Sequence, residues 1–127
     1  MENTSRTKAR KIAVEKLYGL EISGAIDYSN DDSFTQELIM GVTTRKEEID
    51  EIISACLVNY TIKRLNLVDL QIIRVATFEL LDKKLASAII INEAVELTKI
   101  YTNLDDDKAK AFNNKLLDNI AKYIESR

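Results

Sequence analysis

Nothing in this chain of 127 residues forces the backbone out of a helix for long: it contains no proline and only three glycines. Both residues are the usual punctuation of strands and turns, so their scarcity favours long helices joined by polar connectors. Six segments repeat their apolar residues at the 3.6-residue period of a helix. No strand-type alternation persists for more than a few residues. The one ambiguous run, Ala88-Ile89-Ile90-Ile91, suits a buried strand by its β-branching, yet it leads directly into a helical pattern. The expectation is an all-α bundle.

The first helix is expected over residues 5–22, with Asn3 to Ser5 available as caps and Ala9, Ile12, Ala13, Leu17 and Leu20 inward. After a polar connector from Gly24 to Asp32, a second begins near Asp31-Asp32-Ser33 and carries Phe34, Leu38 and Val42. Gly41 and Thr43-Thr44 mark a break. The third stripe runs through Ile49, Ile52, Ile53, Cys56, Leu57 and Tyr60. Asn66 caps a fourth, with Leu70, Ile73, Thr77, Leu80 and Leu81 inward.

The fifth starts at Ser87 and is apolar around most of its circumference, with Ile91, Ala94, Val95 and Thr98 on one stripe and Ile90, Leu97 and Tyr101 beside it. Such a helix is expected at the centre of the fold, where Asn92 and Glu93 either satisfy buried partners or serve a site. The sixth follows Asp105-Asp106-Asp107, a run that complements a helix N-terminus, and turns Phe112, Leu116, Leu117, Ile120, Tyr123 and Ile124 inward.

Composition narrows function. The length fits one domain over residues 1–127, and 46% hydrophobic with 31% charged residues describes a globular chain. There is no apolar run long enough for a membrane span and no secretory signal at Met1 to Lys11, so a cytoplasmic location is expected. The lone cysteine, Cys56, sits on an apolar stripe and reads as a core residue. Histidine is absent, which removes the usual general base near neutral pH and the commonest transition-metal ligand. With no phosphate loop and no nucleophile–base pair visible, neither an enzyme nor a cofactor is expected. Glu93 and Glu96 alone make a poor carboxylate metal site without histidines.

Charge clustering points instead to a polyanion. Arg6, Lys8, Arg10 and Lys11 place four cations within six residues of a chain whose net charge is −3. Arg6 and Arg10, four apart, share a helix face, although Arg10 has an alternative as an internal partner of a carboxylate such as Glu93. A second cluster, Lys99, Lys108 and Lys110, flanks the fifth–sixth junction, where Tyr101 or Phe112 offers a stacking face for an unstacked base. Phe112 equally fits the core stripe with Leu116 and Ile120. Tyr18 lies off the stripe of Ala13, Leu17 and Leu20, so its ring is either open to a partner or folded onto a neighbouring helix.

Five blocks in order carry a family resemblance: Arg6 to Tyr18, Phe34 to Val42, Val68-Asp69 through Leu80, Ile91-Asn92-Glu93-Ala94-Val95-Glu96-Leu97-Thr98-Lys99, and Phe112 to Asp118. Together they resemble the NusB family of bacterial transcription antitermination factors. The resemblance implies a compact all-helical fold of six to seven helices in two packed subdomains. It also implies binding of single-stranded boxA-type RNA together with NusE, a small-subunit ribosomal protein, within a transcription antitermination complex. For the RNA it implicates Arg6, Lys8, Arg10, Lys11, Lys99, Lys110, Phe112 and Asn114, and for the partner Tyr18 and Glu79. A homodimer that covers the RNA face is a further possibility.

Several positions depart from the family pattern. The loop from Thr102 to Ala111 is longer, Lys115 replaces a glycine, Ala111 stands where a basic residue precedes the Phe, and Ala86 replaces a proline. A base-reading carboxylate of relatives corresponds to Asp107 or to nothing. These departures keep open a protein-only adaptor that has lost RNA recognition. A module serving an RNA methyltransferase, the other relative of such domains, would need a separate catalytic partner.

Overall fold

A computed structural model describes residues 2–101 and 107–127, with side chains from Arg6 onward. Among the described residues, six α-helices and one 3-10 turn account for all regular structure: α1 (Glu2–Ser23), α2 (Ser33–Thr44), α3 (Lys46–Cys56), a turn at Ile62–Arg64, α4 (Leu67–Asp82), α5 (Ser87–Tyr101) and α6 (Lys108–Glu125). The boundaries follow local chemistry. The Asp32 carboxylate accepts from the Thr35 amide at 2.8 Å, and the Asn66 side chain accepts from the Val68 and Asp69 amides. At the far end of α4, Lys83 adopts a left-handed conformation that turns the chain out of the helix. Asp107 precedes α6 at positive φ and makes no side-chain cap bond, while Asp105 and Asp106 lie outside the described residues.

α1 and α2 pack on one flank of α4, and α3, α5 and α6 on the other, so the two helical groups meet on α4. Their apolar side chains form one continuous core, from Ala13 and Leu17 through Leu38, Ile53 and Ile73 to Leu117 and Ile120. At the α2–α4 crossing, Gly41 admits the Phe78 ring: a Cβ there would lie 2.3 Å from two ring carbons.

The structure corrects two expectations. The central helix is α4, not α5. Every residue from Asp69 to Leu80 is buried, whereas α5 leaves Ile89, Asn92, Glu96, Lys99 and Ile100 exposed. Pattern alone ranked α5 higher because α4 carries Gln71, Arg74 and Glu79. Those polar groups are held in the interior because partners distant in the chain satisfy them. The second correction concerns α3, which stops at Cys56. Leu57 is extended, and Asn59 takes a positive φ of 56°, tolerated better by asparagine than by most residues. Tyr60 is therefore carried off the apolar stripe and onto α6.

Candidate nucleic-acid interface

The four cations of α1 separate by helical phase. Arg6 and Arg10 share a face, as their spacing requires, and that face turns toward α2. Their guanidinium carbons stand 4.4 Å and 5.4 Å from the centroid of the Phe34 ring. Arg6 remains exposed, but Arg10 is only 4% accessible. Its Nε and Nη2 donate to the two oxygens of Glu79 at 2.8 Å and 3.0 Å, and Nη1 donates to Glu93 Oε1 at 3.3 Å. The Thr7 hydroxyl donates to the same Glu93 oxygen at 2.8 Å. Burial opposes the charge on Arg10, but the hydrogen bonds and charges of Glu79 and Glu93 outweigh it and hold its pKa above the ordinary value.

This clamp corrects two assignments. Arg10 has no free donor face for a phosphate, and Glu79, 7% accessible, cannot present its carboxylate to a partner. Both tie α1 to α4 and α5. Arg74 does the parallel job lower on α4, donating to both Asp50 oxygens at 2.9 Å and to Glu21 at 2.8 Å.

On another side of α1, Lys11 faces the carboxy end of α5, and Lys8 precedes it by about one turn. Lys8 is exposed. Lys11 lies 3.0 Å from Glu15 and 5.8 Å from the centroid of Tyr101, whose hydroxyl donates to Glu15. The Tyr101 hydrogen bond, followed by Lys11, holds the Glu15 carboxyl below its usual range. Burial and the adjacent carboxylate push the Tyr101 hydroxyl up.

The same end of α5 receives the start of α6. Asn113, fully buried, donates from Nδ2 to Thr98 Oγ1 at 3.1 Å and to Asp69 Oδ1 at 3.2 Å, pinning α6 to α5 and α4. Its neighbours Phe112 and Asn114 are thereby turned outward. Phe112 is 41% accessible and does not join the Leu116–Ile120 stripe. Asn113 is the position that shares that stripe, a spacing signal legible in the sequence but obscured by an asparagine in a core register.

Lys108 is exposed and Lys110 half-buried, and among the described residues neither forms an ion pair. Lys99 is exposed and within 3.3 Å of Glu96. The basic side of α1 and the α5–α6 junction therefore meet at the carboxy end of α5. Tyr18, 38% accessible, is open on α1. Sequence reasoning overlooked Tyr60, whose ring centroid lies 5.5 Å from that of Phe112.

Two other roles find no support in the described residues. No group of histidine, cysteine or carboxylate side chains there is placed to hold a metal ion, and no helix there is long and apolar enough to cross a membrane. Cys56 is half-buried, and burial raises its thiol pKa, which disfavours a reactive thiolate.

Comparison with known proteins resolves the family. The NusB family model matches residues 7–122. The transcription antitermination protein NusB of Pseudomonas savastanoi is 36% identical, covering 94% of this chain and 79% of that protein. Its namesake in Bacillus subtilis is 34% identical over 94% and 97%. Among solved structures, Thermotoga maritima NusB superposes with a TM-score of 0.77 at 28% identity, covering 92% of this chain and 90% of that one. A chain in a crystal structure described as a plectonemic RNA supercoil gives 0.81 at 28% identity, covering 96% and 98%. Sequence and fold agree throughout: this chain belongs to the NusB family.

Proposed function

We propose that this chain is a transcription antitermination factor that binds single-stranded boxA-type RNA jointly with NusE, without catalysing a reaction. The observation that carries the reading is the meeting of α1 and α6 at one end of α5: Lys11 lies against Tyr101 and Asn113 joins Thr98, with Lys8, Lys108, Lys110 and the outward Phe112 close in sequence to those contacts. Single-stranded RNA is held by cations that follow its phosphates and by rings on which unstacked bases lie, and this edge offers both. The relatives' name, and the RNA crystal in which a structurally similar chain occurs, support the same reading.

Arg6, Lys8, Lys11, Lys99, Lys110, Phe112 and Asn114 remain in the proposed RNA set, and Lys108 joins them. Tyr18 remains the proposed contact for NusE. Arg10 and Glu79 support this surface from behind.

RNA binding by the Arg6→Ala/Lys8→Ala chain, measured with NusE present across a salt series, tests the reading. Loss of two phosphate contacts should flatten the slope of log affinity against log salt by about 1.4. Unchanged affinity and slope would leave the protein-only adaptor, the reading that Lys115 and the longer loop from Thr102 to Ala111 keep in play.

A further inference from the structure

Phe112 does not stand alone. The 3-10 turn at Ile62–Arg64 holds Tyr60 against it in a three-membered ladder. The Arg64 guanidinium lies 4.7 Å from the Tyr60 centroid, and Tyr60 in turn lies 5.5 Å from Phe112 at an interplanar angle of 56°. The Tyr60 hydroxyl donates to the Arg64 carbonyl at 3.1 Å, so the turn that supplies the cation also fixes the ring.

Phe112 also forms one wall of a groove of about 310 Å3 between the end of α3 and α6, with Leu57, Val58 and Ala111 among its apolar walls and Lys115 and Asn119 adding polar groups. That volume lies at the lower end of ligand-site sizes, roughly 300–1,000 Å3. No carboxylate lines it. Lys63, Arg64 and Lys115 are exposed, and among the described residues none of them forms an ion pair. Apolar walls beside unpaired cations suit a flat ring attached to an anion better than an apolar peptide.

We infer that Tyr60 and Arg64 extend the RNA-binding edge past Phe112: one unstacked base lies in the groove against Phe112, and Arg64 and Lys115 hold the adjoining phosphates. The inference rests on the RNA-binding reading above. Tyr60 is a positioning residue that braces the Phe112 ring, whereas Arg64 touches the RNA itself. Lys115 gains a role here that a glycine at the same position could not fill.

The test uses the full chain with the ribosomal partner and the same boxA-type RNA. Tyr60→Leu leaves the Phe112 platform unbraced and should weaken RNA binding about tenfold, within the range for losing one stacked base. Tyr60→Phe keeps the ring and should stay within about twofold of the original. Arg64→Gln should lower the salt slope by about 0.7, one phosphate on a single strand. Because Tyr60→Leu also removes packing, crosslinking of 4-thiouridine-containing RNA to the unmodified chain provides a second readout, with adducts expected on residues 56–64 and on α6.

Original affinity and slope in both Tyr60→Leu and Arg64→Gln would overturn the inference. So would equal losses in Tyr60→Phe and Tyr60→Leu, adducts confined to α1 and α5, or protection of Tyr60 by the protein partner alone. If RNA binding depends on Arg6 and Lys8 but not on Tyr60 and Arg64, only this extension fails. If the unmodified chain binds no RNA, both readings fail.

Discussion

The first turns of α1 and of α6 are both rich in cations, yet they use them differently. On α1, Arg10 is drawn inward between Glu79 and Glu93, Lys11 leans on Glu15 and Tyr101, and Arg6 lies over Phe34. On α6, Lys108, Lys110 and Lys115 reach outward with no ion pair among the described residues. The difference lies in what surrounds each segment. α1 is packed against α2 and α4 and has a neighbour in α5, so one of its cations, Arg10, meets carboxylates from two other helices. The start of α6 is anchored by an uncharged residue, Asn113, and among the described residues no carboxylate pairs with the lysines nearby. Clustered cations are thus a footprint for phosphate only after the ones recruited as struts have been removed.

The largest expected effect falls on the strut. Glu79→Ala strands the buried Arg10 guanidinium and should cost about 3–5 kcal/mol of unfolding free energy in urea titrations. A loss below about 1 kcal/mol would mean that Arg10 escapes to solvent, and the contrast with α6 would disappear. Gly41→Ala comes next. The added methyl meets the Phe78 ring, so overpacking should cost about 1–3 kcal/mol in the same assay. Equal stability would show that α2 can shift on α4, loosening the frame that presents α1.

Lys108→Ala/Lys110→Ala should leave stability within about 0.5 kcal/mol, as substitutions away from the core and from ion pairs usually do, and lower the RNA salt slope by about 1.4. Reduced stability with an intact slope would make the α6 cations struts as well.

The smallest effect concerns Glu15. Its pKa is depressed in the folded chain by Tyr101 and Lys11, so its contribution is present above the unfolded-state pKa. It disappears as pH falls through the lower, folded-state value. Thermal melts should therefore show a slightly shallower acid-side decline for Glu15→Gln. Superimposable pH profiles would remove Glu15 from the α1–α5 contact.

Much of the fold is legible in the chain because periodicity and capping are local. Asn66 and Asp32 announce helix starts, and the stripes of α2 and α6 place Leu38, Val42, Leu116, Leu117, Ile120 and Ile124 in the core as observed, while putting Phe34, Phe112 and Tyr123 too far inward and missing Ile39 and Ala121. The failures have local causes too. Phe112 and Asn113 are adjacent, so hydrophobicity favoured the wrong one of the two for the core. Tyr60 continues the α3 period, but the chain leaves the helix at Leu57 and turns again at Asn59 before reaching it. Of the candidate site, the exposed lysines could be read directly, whereas Arg10 and Glu79, 69 residues apart, could not be recognised as partners.

What the amino-acid order determined alone is the helical class, the approximate helix limits and the concentration of positive charge at the amino end, since each follows from neighbours within one or two turns. Which helix lies at the centre, which arginines are buried, and how the Arg64–Tyr60–Phe112 ladder assembles were decided only by tertiary packing. Those outcomes depend on whether a distant carboxylate, ring or amide arrives within hydrogen-bond or van der Waals reach, and no local pattern encodes that encounter.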